Sequence, residues 1–76
     1  MEKSTLDLIK LAGLGTNLVI DASTKSTLDL IKISGSIGLK GTHLRLVNCN
    51  SKSTLDLMKI VSTYPNNITL NFTNRN

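Results

Sequence analysis

Aromatic residues are nearly missing from this chain: Tyr64 and Phe72 stand alone and there is no tryptophan. Stacking on nucleobases needs aromatic faces, so a stacking platform for single strands has little to work with here. Cysteine is as scarce. Cys49 has no second cysteine with which to form an internal disulfide, and with His43 as the single histidine no Cys/His spacing exists that would ligate zinc. No cofactor is expected, and a reducing, cytoplasmic setting is the simpler expectation. No run approaches the roughly eighteen apolar residues of a membrane-spanning helix, so no membrane partner is expected either. Met1-Glu2-Lys3 leads straight into a patterned segment carrying Asp7 and Lys10 instead of the apolar core of a secretory signal. The Asn-x-Thr triplets at Asn67 and Asn71 then read as chance in an Asn/Thr-rich stretch rather than as glycosylation acceptors.

What the chain has instead is repetition. Lys3-Ser-Thr-Leu-Asp-Leu-Ile-Lys10, Lys25-Ser-Thr-Leu-Asp-Leu-Ile-Lys32 and Lys52-Ser-Thr-Leu-Asp-Leu-Met-Lys59 are copies of one phrase, 22 and then 27 residues apart. That period points to stacked supersecondary units. The formal charge of +4 is mostly this pattern, because Lys3, Lys10, Lys25, Lys32, Lys52 and Lys59 all belong to it. At 76 residues the chain makes one domain, 1–76, with repeats at about 3–24, 25–51 and 52–76 and a core only just sufficient for its size.

Each copy encodes a helix start. Ser4, Ser26 and Ser53 are placed as N-caps, with Asp7, Asp29 and Asp56 three residues on, facing the positive helix end. Each Asp precedes Lys10, Lys32 or Lys59 by three residues, which puts both charges on one exposed ridge. The apolar positions form a wide arc rather than a stripe. Leu8, Ile9 and Ala12, with their counterparts Leu30, Ile31, Ser34 and Leu57, Met58, Val61, are expected at its centre. Leu6/Leu28/Leu55 and Leu11/Ile33/Ile60 project roughly 100–120° to either side. Such an arc suits a helix that packs onto a sheet and against a neighbouring helix on each flank.

Between the phrases the period changes from helix to strand. Gly13 and Gly15 are expected to end the first helix, and residues 17–22 read as a strand with Leu18, Ile20 and Ala22 on one face. The segment from Gly35 to Thr42 holds Gly35, Gly38 and Gly41 and reads as the mobile loop of the molecule. Residues 43–48 form the next strand, with Leu44 and Leu46 inward. Pro65 stops the third helix, Asn66 and Asn67 offer the positive-φ residue, and Ile68 to Phe72 is the third strand, with a tail from 73 that should fray. The expected fold is α/β: three αβ repeats forming a small three-stranded parallel sheet with right-handed crossovers and all helices on one face. The opposite face would show Val19, Asp21, Arg45, Val47, Thr69 and Asn71.

The strand segments Leu18-x-Ile20-x-x-Ser23, Leu44-x-Leu46-x-x-Cys49 and Ile68-x-Leu70-x-x-Thr73 resemble the Leu-x-Leu-x-x-(Asn/Cys) segment of leucine-rich repeats, at a similar spacing. Gly15, Gly41 and Pro65 stand where that family has a leucine three positions earlier. The resemblance implies a curved, leucine-rich-repeat-like solenoid fragment and protein recognition by the strand face, here Val19, Asp21, Arg45, Val47, Thr69 and Asn71. The repeated phrase is also similar to short helix–strand repeats of uncharacterised bacterial proteins, a likeness that implies no activity.

The repeated residues build helices and offer little chemistry. Lys-Ser-Thr at a helix start resembles the end of a P-loop, yet Asp21-Ala-Ser-Thr-Lys25 and Val47-Asn-Cys-Asn-Ser-Lys52 lack the glycines that cradle phosphate. Stacked at roughly 10 Å, Lys3, Lys25 and Lys52 would form a column beside three positive helix ends, able to bind anions or nucleic-acid phosphates with steep salt dependence. The plainer reading is a solvated basic edge that keeps the stack soluble. His43 has no acid or thiol near it in sequence, Cys49 reads as a small buried residue at a strand end, and Asp7, Asp29 and Asp56 would stand about 10 Å apart, too far to act as a carboxylate pair. No catalytic or metal constellation is expected, and the protein reads as a non-enzyme.

Association is the function the pattern favours. In a stack of three, each terminal helix keeps one flank without a neighbour, and neither end carries a polar outer face. Strands 17–22 and 67–73 contain no Pro or Lys that would block an edge. Leu6, Leu11, Leu55, Ile60 and Ile68 are the expected assembly residues, and a second copy or another protein is the expected partner. A bacterial or phage-type accessory or inhibitor would fit, with nucleic-acid or anion binding by the lysine column as the alternative.

Overall fold

The serines cap as their spacing predicts. In the computed structural model, which describes residues 3–72, Ser4, Ser26 and Ser53 are extended, and each side-chain oxygen accepts the amide of Asp7, Asp29 or Asp56 at 3.1 Å. Three helices follow: α1 (Thr5–Gly13), α2 (Thr27–Ser34) and α3 (Thr54–Val61). Gly15, with φ 94°, takes the left-handed conformation beyond α1, whereas Gly13 stays helical and does not share that role.

The strands lie where expected but are shorter: β1 (Leu18–Asp21), β2 (Leu44–Val47) and β3 (Ile68–Leu70). One-turn 3-10 helices, Ala22–Thr24, Cys49–Ser51 and Pro65–Asn67, flank the strands, and the first takes Ala22, which the sequence reads as the last strand residue. The first is closed by Asp21, whose side chain accepts the Ser23 amide at 2.9 Å and turns the chain out of the sheet. The left-handed asparagine is Asn48, at φ 57°, and not Asn66 or Asn67, which belong to a 3-10 turn instead. The expected fraying of residues 73–76, and Thr73 at the end of the third strand segment, lie outside the described residues.

The sheet is parallel in the order β1-β2-β3, with Leu18, Leu44 and Ile68 in one register row and Ile20, Leu46 and Leu70 in another. Leu8, Ala12, Leu30, Ile33, Leu57 and Ile60 from the helices meet Ile20, Leu44 and Leu46 in one cluster, so all three helices cover the same face.

Two expectations are corrected by this packing. Ile33 and Ile60 are fully buried on one flank, but Leu6, Leu28 and Leu55, expected to form the other, are each 61% exposed. The second flank is built by Ile9 and Ala12 and by Ile31 and Ser34. The helix wheel explains the change: Ile9 stands about 60° from Ala12 and Leu6 about 120°, so a neighbouring helix meets Ile9 first. The segment after α2 is also anchored rather than loose. Ile37 and Thr42 are fully buried, and the Thr42 hydroxyl donates to the Ala12 carbonyl at 2.7 Å. The Tyr64 ring fills the space that a Cβ at Gly38 would need.

Candidate functional site

The lysines that open each phrase do form a column, but two of them are structural. Lys25 Nζ donates to the Lys3 carbonyl at 2.8 Å, and Lys52 Nζ donates to the Lys25 carbonyl at 2.7 Å. Each ammonium thus ties its repeat to the one before it. Each junction has a further polar tie: Asn48 Nδ2 donates to Asp21 Oδ2 at 2.9 Å between the first and second repeats, and Thr27 Oγ1 donates to Asp56 Oδ2 at 3.1 Å between the second and third. The Ser34 hydroxyl, fully buried, reaches the Ile60 carbonyl at 3.4 Å.

Where the stack ends, these junction surfaces are left open. At the first repeat Lys3, Asp7, Lys10 and Leu11 line a depression of about 330 Å³. Leu11 is half-buried there, while its counterparts Ile33 and Ile60 are enclosed. At the third repeat Thr54, Leu57, Met58, Val61, Leu70 and Phe72 line an apolar groove of about 450 Å³. Met58 is 62% exposed and Phe72 54%. β1 and β3 each have a neighbour on one side only. Of the assembly residues expected from sequence, Leu11 lies at the open first end and Ile68 is half-buried in β3. Ile60 is enclosed in the core, and Leu6 and Leu55 lie with Leu28 on the outward ridge of the helices.

Met58, Val61 and Phe72 were not among those residues. A signal for them exists in the repeat alignment. Ala12 and Ser34 are small where the following helix presses on them, and Val61, at the same position, is larger where no helix follows.

The other sheet face is mixed. Val19 and Thr69 are exposed, Asp21, Arg45 and Asn71 are half-buried, and Val47 is buried apart from the main core, so it adds little accessible surface to the expected patch. Arg45 Nε is buried on this face without a hydrogen-bond partner. The Thr69 hydroxyl and His43 Nε2 are hydrogen-bonded at 2.7 Å, both residues being exposed. Cys49 is fully buried, with its thiol against the Leu46 carbonyl at 3.3 Å, and burial pushes its pKa up, away from the reactive thiolate.

Asp21 is the most heavily bonded carboxylate among the described residues. The Ser23 hydroxyl at 2.6 Å, then Asn48 Nδ2, then the Ser23 amide hold its pKa below the ordinary 3.8. A pKa depressed on folding contributes stability above the ordinary carboxylate range and loses it as pH falls through the folded value. Between about pH 5 and about pH 2 the thermal midpoint of the natural protein should therefore fall more steeply than that of Asp21→Asn. Parallel curves for the two proteins would show that the Asp21 charge is unimportant to folding.

Among the described residues no helix is long and apolar enough to cross a membrane, and no group of three or more His, Cys, Asp or Glu side chains is placed to hold a metal ion. No protein-family model, curated protein or solved structure matches this chain.

Proposed function

We propose that this protein is a binding module that works by association through its first and third repeats, and that its three αβ units behave as a short solenoid whose ends are sites of contact. The observation that carries this reading is the apolar groove at the third repeat, where Met58 and Phe72 remain largely exposed beside Leu57, Val61 and Leu70. In a chain of this size, with a core of a dozen buried apolar residues, leaving such side chains in water forgoes a sizeable share of the stabilisation available. A partner that covers them recovers it. The unpaired edges of β1 and β3 favour the same reading, because they lie at the same two ends.

The lysine column supports the alternative less well. Lys25 and Lys52 each commit an ammonium donor to a carbonyl of the preceding repeat, which gives the column a structural purpose without any bound anion. Binding is also favoured over catalysis, since the Cys49 thiol is enclosed and its pKa is held above the ordinary value by burial.

Light scattering during size-exclusion chromatography tests the proposal. The molar mass should exceed that of the 8.2 kDa chain and rise over a tenfold range of concentration. It should persist at about 1 M salt, because the contact is mainly apolar. A mass of one chain at every concentration would overturn self-association.

A further inference from the structure

The two open ends differ from each other, and each matches one half of a junction that the molecule already contains twice. Across an internal junction, the following repeat contributes a lysine ammonium to the preceding lysine carbonyl, as Lys25 does to Lys3 and Lys52 to Lys25. It also contributes an enclosed aliphatic side chain, Ile33 or Ile60, and at the second junction a carboxylate to a threonine hydroxyl, Asp56 to Thr27. The first repeat carries that whole set on its open flank: Lys3 and Asp7, both exposed, and half-buried Leu11. The third repeat carries the receiving set, namely the Lys52 carbonyl, the exposed Thr54 hydroxyl, and Met58 and Val61 at the positions of Ile31 and Ser34. One end is the donor half of a junction and the other is the acceptor half.

Resting on the self-association reading above, we propose that copies of this chain join head to tail, the first repeat of one copy seated on the third repeat of the next. The intermolecular contact then continues the internal one: Lys3 Nζ to the Lys52 carbonyl, Thr54 Oγ1 to Asp7, and Leu11 over Met58 and Val61. The strands continue as well. β1 follows β3 in parallel, with Leu18 beside Ile68 as Leu44 already is. Two-fold pairing of like ends is disfavoured. At the first end it would bring Lys3 and Lys10 against their own copies, and at the third it would set β3 antiparallel to itself, with no junction in the molecule as its template. Val61 is bulkier than Ala12 and Ser34, so this junction is looser than the internal ones, and association depends on concentration. Head-to-tail contacts of this kind extend into a stack or close into a ring according to the rotation between copies.

The test uses one blocked variant for each end, both at exposed positions so that folding is kept. Asp7→Arg blocks the first end and Met58→Lys the third, and circular dichroism checks that both fold. Lys3→Glu and Phe72→Ser form a second pair should either of these unfold. Light scattering should show each variant at the mass of one chain, with self-association weakened at least about tenfold. An equimolar mixture should form a dimer of twice that mass and go no further, because each variant retains the half that the other lacks. If one variant alone still dimerises like the natural protein, the contact is a two-fold through the intact end and the head-to-tail arrangement is wrong. If both variants associate unchanged, the contact lies elsewhere, as on the Leu6, Leu28 and Leu55 ridge, and the inference again fails. A natural protein that is itself monomeric overturns the self-association reading before the variants are reached.

Discussion

Leu30→Ala should remove about 3 to 4 kcal/mol of folding stability, whereas Leu28→Ala, two positions earlier in the same phrase, should change it by less than about 0.5 kcal/mol. Leu30 is fully buried in the middle helix, with a repeat on either side and the sheet beneath. Truncating it removes the transfer energy of the lost atoms and leaves a cavity, and the surroundings relax only in part because they belong to separate elements. Leu28 is 61% exposed and has little burial to lose, while alanine is a good helix former at that position. For a domain of this size, total stability is on the order of 5 kcal/mol, so Leu30→Ala should keep only about 1 to 2 kcal/mol and melt well below the natural protein. Urea denaturation at one fixed, low concentration measures both, since association would otherwise add stability to the less damaged variant. Comparable losses at the two positions would mean that the outward leucine ridge is covered in solution and that the packing described above is incomplete.

That contrast also marks how far the sequence could be read. The caps, the order of helices and strands, the parallel sheet and the common face of the helices follow from local patterns, because N-cap serines, glycines and period-two alternation act within a few residues. Which flank of a helix meets its neighbour does not. Leu6 and Ile9 are equally apolar, and the choice between them depends on how the helices sit over the sheet, which no local pattern contains. The groove at the third repeat is not legible in local patterns for the same reason: Ile60 occupies the enclosed flank, and Met58 and Val61 the open one. The lysine column is legible as a column, but its bonds to carbonyls need the distance between repeats to be known. The first 3-10 turn is capped by the side chain of Asp21, which competes with a strand only after the strand exists, and the other two have no side-chain cap at all.

Ile37→Ala should cost about 3 kcal/mol, as much as a residue in a helix, although it lies in the glycine-rich segment that looks from sequence like a mobile loop. Ile37 is fully buried and belongs to the main core cluster. Its carbonyl receives the Thr42 amide at 3.0 Å, and Thr42 in turn holds the end of α1 through the Ala12 carbonyl at 2.7 Å and accepts Asn67 Nδ2 at 3.3 Å. The extra length of the second repeat therefore fills the core below the helix ends and links the first repeat to the third. Leu39, two residues on, is 77% exposed, and Leu39→Ala should be close to neutral. Denaturation of the two variants gives the energies, and hydrogen exchange gives an independent reading. The Thr42 amide should exchange only through global unfolding in the natural protein, and in Ile37→Ala it should open locally and exchange faster than amides of β2. A loss below about 1 kcal/mol at Ile37, with Thr42 already fast in the natural protein, would show that the segment is the loose loop its glycines suggest.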